Sequence, residues 1–306
     1  MLLKKDLIFP GGRSKNLNEN KLKPIFFVVA VSFLFFAGVA AILYPVASNL
    51  LSLSTSRTVI SDYVDTVQAL PDNEKSRLWD LAHKYNYDIA HSNYSDGLER
   101  SICSDDGVVC YVDVPDVGIY LPCYYGPTDE NLAKGAALLE NTSLPVGGSS
   151  THSVISGHTG LPSAEMFTNL DQIKEGTVFY IHVLDGVLAY KVDLISVVTP
   201  EKVELLRVFE GKDYCTLLTC TPYGINDKRL LVRGVRIPYD APSSDSSISA
   251  PLRNDDTTDA ELKKEIYNQL VIIIIIAAAA VLLYIAAVIW LIASLRVRKK
   301  AAHMRQ

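Results

Sequence analysis

The sequence predicts a mainly β fold of many short strands, entered through helices and bracketed by two apolar helices long enough to cross a membrane. Three observations carry that prediction. Between Val108 and Ile237, β-branched and aromatic runs are cut by Gly and Pro at short, regular intervals, the pattern of a closed barrel or a sandwich. Residues ~52–87 place apolar side chains at helical spacing. Two uncharged apolar runs, 25–44 and 270–295, stand one near each end.

A basic segment, 1–24, opens the chain with Lys4, Lys5, Arg13, Lys15, Lys21 and Lys23. The run Ile25 to Tyr44 then has the roughly 20 residues that a helix needs to cross about 30 Å of hydrocarbon. A secretory signal peptide shares this layout. The length of the run, and only a weak Ala-x-Ala-like cut at Val46-Ala47-Ser48, favour a retained anchor. Residues 45–107 read as helices followed by a loop. Pro71-Asp72-Asn73-Glu74 starts a helix whose Leu78, Leu81 and Ala82 share a face with Leu70. The segment 92–107 has turn composition and no sustained period.

The β region spans 108–238. Its expected strands are Val109–Val114, Gly118–Tyr124, Ser153–Ser156, Val178–Val183, Val187–Val197, Asp213–Cys220 and Arg229–Ile237, with helical pieces at Asn131–Leu138 and Met166–Leu170. Leu184-Asp185-Gly186-Val187 marks a hairpin between two of them. A Ser-, Asp-, Thr- and Pro-rich linker, 239–269, leads to the second run. That run, Leu270 to Leu295, holds Ile272 to Ala280 without a polar side-chain atom, and Arg296, Arg298, Lys299, Lys300 and Arg305 follow in the tail 296–306. Core helices rarely stay apolar all round for so long, so a transmembrane helix is expected. Lys and Arg gather on the cytoplasmic side of spans. Both termini are therefore expected inside, and residues ~46–269 outside.

Charge narrows the function. Of 29 Lys+Arg and 34 Asp+Glu, six basic and two acidic residues lie before Ile25, and five basic residues lie after Leu295. The stretch between them keeps 18 basic against 32 acidic, a net charge of about −14. Such a surface repels phosphate backbones, which argues against nucleic acid as a partner. Five cysteines, at 103, 110, 123, 215 and 220, leave an odd thiol in a domain expected outside the cell. No Cys-x-x-Cys or His-x-x-x-His spacing suggests a metal.

Cys220 closes the apolar strand Tyr214-Cys215-Thr216-Leu217-Leu218-Thr219-Cys220, and the turn-forming Thr221-Pro222-Tyr223-Gly224 follows. A thiol on a rigid strand at the mouth of a cleft suits a nucleophile, although most lone cysteines are small core hydrophobes. Cys215, five residues earlier, points to the opposite face. The thiolate is the reactive form, and a neighbouring cation favours it. His158, flanked by Gly157 and Gly160 just beyond the strand 153–156, can protonate a leaving amine and deprotonate an incoming one. His152 and His182 are rivals, but each falls within a strand pattern and reads as structural. Arg229 opens the strand after the loop 221–228, where a guanidinium can stabilise an acyl-transfer oxyanion. Arg233 shares its face, roughly 13 Å further from the loop.

Together these residues resemble the sortases. Thr216-Leu217-Leu218-Thr219-Cys220 is similar to that family's Thr-Leu-x-Thr-Cys signature, and an arginine nine residues after the cysteine matches the family's oxyanion-stabilising position. Thr219-Cys220-Thr221-Pro222-Tyr223-Gly224-Ile225-Asn226, Arg229 to Gly234, and the stretch from Leu144-Pro145-Val146-Gly147-Gly148 to Ser156-Gly157-His158 resemble the pilus-assembling class C members over residues ~55–240. The resemblance implies a closed sortase-type β-barrel with short helices, preceded by N-terminal helices and flanked by two transmembrane helices, on the outer face of a Gram-positive cell. It implies that Cys220 attacks the Thr–Gly bond of a Leu-Pro-x-Thr-Gly-like sorting signal, with His158 as acid and base and Arg229 holding the carbonyl oxygen. Its partners would be pilin or surface-protein substrates, its resolving nucleophile a pilin lysine amine, and no cofactor would be required. Anchoring of surface proteins to cell-wall peptide, or hydrolysis by water, are the alternatives. Class C members usually carry a lid with an Asp-Pro-aromatic triplet, which the loop 92–107 does not contain. A Cys103–Cys110 disulfide restraining that loop is one expectation, and two unpaired thiols the other.

Overall fold

A computed structural model of the chain describes residues 19–92, 100–239, 268, 271–272, 274–290, 293 and 297. Eight strands close into one barrel: β1 (Val108–Val114), β2 (Ile119–Tyr125), β3 (Ala136–Leu138), β4 (Thr151–Ser156), β5 (Val178–Val183), β6 (Gly186–Val198), β7 (Asp213–Thr221) and β8 (Lys228–Ile237). Around the barrel the order is β1-β2-β3-β4-β7-β8-β6-β5, and β5 pairs back onto β1. Closure removes free edges, so backbone donors and acceptors are satisfied between strands without a second sheet. Most pairs are antiparallel, but β2–β3 and β4–β7 are parallel. The second of these matters for the site. Parallel strands bring their C-terminal ends to the same rim.

Buried aliphatic and aromatic side chains, among them Leu138, Ile155, Phe167, Leu170, Phe179, Ile181 and Leu217, fill the core. Helix α1 (Glu19–Ala69) runs through the first apolar run and on past it, with Pro45 inside it, and α2 (Asp72–Ala90) follows after Leu70-Pro71. Both dock on the barrel. The buried Tyr63 hydroxyl donates to the Val109 carbonyl at 3.0 Å and accepts from the Leu184 N–H at 2.9 Å. Burial pushes its pKa up, so it remains a neutral donor. Asn86 on α2 pairs its side-chain amide with both backbone groups of Leu144, at 3.0 and 2.7 Å. Trp79 donates to Asp185 at 2.8 Å and packs where Gly186 leaves room for its ring.

Several expectations need correcting. Asn131–Leu138 is not one helix: α3 covers only Asp129–Lys134, and β3 takes up Ala136–Leu138. The Thr128 hydroxyl caps α3 by accepting from the Asn131 N–H. Between the two elements lies Gly135, whose missing Cβ would sit 2.4 Å from the Pro122 carbonyl oxygen. That close approach lets the chain turn at once into a strand beside β2. The helical piece expected at Met166–Leu170 is found two residues later, as a 3-10 helix over Thr168–Gln172. None of the five cysteines is disulfide-bonded, so the Cys103–Cys110 bridge is not formed. Cys110 lies within β1, opposite Cys123 of β2, and is fully buried, so the strand pairing holds it in the barrel wall. Residues 93–99 of the expected lid loop, most of the linker 239–269 and most of the basic termini fall outside the described residues, while 100–107 form turns.

The chain divides into two compact units, Pro45–Gln269 and a second made of Met1–Tyr44 with Leu270–Gln306. From Val29 onward α1 contains a window of mean hydropathy 2.2, long and apolar enough to cross a membrane. The second apolar helix is described over Ile274–Trp290, shorter than that requirement. Within the smaller unit the two helices meet. The Ser32 hydroxyl is hydrogen-bonded to the Tyr284 hydroxyl, and Phe35 stacks on the Tyr284 ring with centroids 5.0 Å apart.

Candidate active site

Cys220 is the penultimate residue of β7 and is half-buried at the rim. In the β7–β8 pairing its direct Cα partner is Arg229. Opposed residues in an antiparallel pair put their side chains on the same face, about 4.5–5.5 Å apart at Cβ. The thiol and the guanidinium therefore project together. Cys215 and Leu217, of opposite parity, are fully buried in the core, so Cys220 is the β7 cysteine that reaches the rim.

His158 arrives from the other side. Strand β4 runs parallel to β7 with Ser156 opposite Leu218, and His158 follows two residues after β4 ends, at the same rim to which β7 carries Cys220. Two hydrogen bonds hold the strands together at that point. The Gly157 N–H donates to the Leu218 carbonyl at 3.0 Å, and the buried Thr219 hydroxyl donates to the Gly157 carbonyl at 2.7 Å. Thr219 precedes the cysteine and Gly157 precedes the histidine, so one bond joins their neighbours. Gly157 has a reason of its own. A Cβ there would lie 2.7 Å from the ring of Phe167, which is fully buried beneath it. The sequence places Thr219 in a signature but does not reveal this bond, because it joins residues 62 positions apart.

The two arginines of β8 differ in their surroundings. Arg233 forms a forked pair with Asp193, at 3.0 and 2.9 Å, and its guanidinium lies 4.2 Å from the Tyr214 ring centroid. It is committed to the barrel wall. Arg229 donates through one nitrogen to the carbonyls of Asn226 and Lys228, at 3.2 and 3.0 Å. Those contacts orient the head and use only one of its nitrogens. Glu201, in the loop between β6 and β7, has its carboxyl held below the usual range by its own backbone N–H and the Thr199 hydroxyl, with the Arg229 charge adding to them.

The rival histidines are built into the wall. His152 is fully buried on β4, with Nδ1 2.7 Å from the Arg207 carbonyl and Nε2 2.7 Å from the Thr216 hydroxyl. Burial keeps it neutral by lowering its pKa. His182 stacks on Tyr111 with ring centroids 4.3 Å apart, and burial lowers its pKa to about 4. Beside the candidate triad, the loop 222–227 exposes Tyr223 and Ile225. The Tyr223 ring lies over Gly160, which has φ +74° and where a Cβ would come within 3.1 Å of that ring. Such an arrangement sets a half-buried thiol and a partly free guanidinium at the rim, beside an apolar shelf. Among the described residues no group of three or more His, Cys, Asp or Glu is arranged to hold a metal ion.

Comparison with known proteins points the same way. The family profile of the sortase domain matches residues 112–237. Sortase A of Bacillus anthracis is 31% identical over 127 residues, 42% of this chain and 59% of that protein. Sortase A of Staphylococcus aureus is 36% identical over 130 residues, 40% of this chain and 61% of that protein. The match thus spans about three fifths of those relatives. Solved structures extend it. Sortase C of Streptococcus pneumoniae is 44% identical with a TM-score of 0.57, covering 61% of this chain and 100% of that one. Sortase C of Clostridium perfringens, solved with a C-terminal cell wall sorting motif, is 45% identical with a TM-score of 0.56, covering 60% of this chain and 99% of that one.

Proposed function

Since this chain belongs to the sortase family of cysteine transpeptidases, we propose that it is a pilus-assembling enzyme that transfers sorting-signal proteins to a pilin lysine. One observation carries the reading: Cys220 and Arg229 are direct partners at the rim to which β4 delivers His158. The sulfur of Cys220, as thiolate, attacks the Thr carbonyl carbon of a Leu-Pro-x-Thr-Gly-like signal. The oxygen takes up negative charge, and Arg229 meets it with a permanent cation. Collapse of the intermediate breaks the Thr–Gly bond, and the leaving amine takes its proton from the His158 imidazolium. A lysine amine then attacks the thioester, gives its proton to the imidazole and leaves as an isopeptide, with the thiolate restored.

The likeness to Sortase C structures supports pilin as the acceptor. Transfer to a cell-wall peptide amine is the second reading, supported by the Sortase A relatives. The basic flanks of both apolar runs and the hydropathy of α1 support a catalytic unit outside the membrane with cytoplasmic termini.

The test uses the full chain in detergent micelles with a sorting peptide and two competing acceptors, a pilin lysine peptide and a cell-wall stem peptide. Mass spectrometry is expected to find a thioacyl adduct on Cys220, absent in Cys220→Ala, that resolves onto the pilin lysine. Resolution onto the stem peptide would transfer the assignment to the second reading, and release of free acid alone would reject transpeptidation.

A further inference from the structure

The segment that carries His158 is braced by α1. Its base is closed locally: the Phe167 N–H donates to the His158 carbonyl at 3.0 Å, the Thr159 hydroxyl to the Phe167 carbonyl at 3.3 Å, and the Gly160 N–H to the Thr168 hydroxyl at 3.2 Å. The outer part, 161–165, reaches across to α1. There Asn49 uses both ends of its side-chain amide on a single residue. Its Nδ2 donates to Glu165 Oε1 at 3.1 Å, and its Oδ1 accepts from the Glu165 backbone N–H at 3.0 Å. One position earlier, the Ser48 hydroxyl donates to the Pro162 carbonyl at 3.3 Å.

These contacts differ in kind from packing. An amide that donates to a side chain and accepts from the same residue's backbone fixes both the distance and the rotation of that residue. Glu165 lies two residues before Phe167, which is fully buried under Gly157 and returns a hydrogen bond to His158. A shift of Glu165 is therefore passed through Phe167 to the backbone on both sides of the histidine. Small errors in the placement of a reacting group are costly, of the order of 100-fold for about 1 Å.

We propose that Asn49 is a positioning residue for His158, holding the 158–167 segment against α1 through its two bonds to Glu165. The inference rests on the sortase reading above. It makes α1 part of the machinery that sets proton transfer.

The experiment compares the full chain with Asn49→Ala, Asn49→Asp and the exchanged pair Asn49→Asp with Glu165→Gln. Asn49→Asp keeps the size of the side chain but removes the donor and sets two carboxylates face to face. The exchanged pair restores a donor, from the new glutamine to the new aspartate, and the backbone bond survives. Five quantities are read: kcat and KM for acyl transfer from a sorting peptide, the pH profiles of kcat and of Cys220 alkylation, and the melting temperature. Both single variants are expected to lose about 10-fold in kcat and to move both pH profiles, with the melting temperature unchanged. The exchanged pair is expected to recover kcat and both profiles. A normal kcat and pH profile in Asn49→Ala overturns the proposal, as does an exchanged pair no faster than Asn49→Asp. Failure of the unaltered chain to form a thioacyl adduct on Cys220 removes the reaction and the positioning role together, whereas an adduct with indifferent Asn49 variants removes the positioning role alone.

Discussion

His182 shows what a single buried side chain contributes here. It is 3% exposed, stacked on Tyr111, and its Nε2 has no hydrogen-bond partner among the described residues. Burial disfavours the imidazolium and lowers its pKa to about 4, against about 6.5 in the unfolded chain. The folded state thus refuses a proton that the unfolded state accepts between those values. Stability is full above pH 6.5 and is lost as the pH falls toward 4, by up to about 3 kcal/mol. Urea titrations at pH 7.5 and pH 5 check this. His182→Phe, which keeps the ring stack, is expected to narrow the gap between the two midpoints. A gap equal to that of the unaltered protein would assign the acid sensitivity elsewhere. The other buried histidine, His152, has hydrogen-bond partners for both ring nitrogens and anchors the loop at Arg207.

Among the elements, the junction of α3 and β3 is the most constrained. Six helical residues give way to a three-residue strand through Gly135, with the Pro122 carbonyl where a Cβ would stand. Strand β3 in turn pairs with β4, Ala137 opposite Ser156, two residues from His158. Gly135→Ala cannot be absorbed by a side-chain rotation, because the obstacle is backbone. It is expected to destabilise the protein by about 1–3 kcal/mol, read as a lower urea midpoint. An unchanged midpoint would mean that β2 and α3 separate freely. Helical periodicity extended this segment to Leu138, since a short apolar run such as Ala136-Ala137-Leu138 suits a helix end and a buried strand alike.

At the scale of the whole molecule, the helices preceding the barrel are fastened to it by single polar groups set in apolar surroundings. Tyr63 is the clearest, with one hydroxyl joining α1 to the carbonyl of Val109 and the N–H of Leu184. Tyr63→Phe keeps the ring and leaves both backbone groups without that partner. A loss of about 1–3 kcal/mol is expected, together with faster amide exchange at Leu184. Unchanged exchange there would show that the helix docks by apolar contact alone. The same docking gives α1 its hold on the 158–167 segment through Asn49.

The sequence by itself determined the barrel class and seven of its eight strands to within about two residues at each end, and it singled out Cys220, His158 and Arg229 as the candidate chemistry. Strand alternation, the run up to Cys220 and the turn after it are local patterns, and local patterns survive in a linear string. Only the tertiary structure decided that β4 and β7 run parallel, that Cys220 faces Arg229, and that Cys110 lies against Cys123 instead of reaching Cys103. The Thr219–Gly157 and Asn49–Glu165 bonds belong to the same class. They join residues 62 and 116 positions apart. No periodicity records which distant backbone a side chain will meet, because that meeting is fixed by the register of closure around the whole barrel.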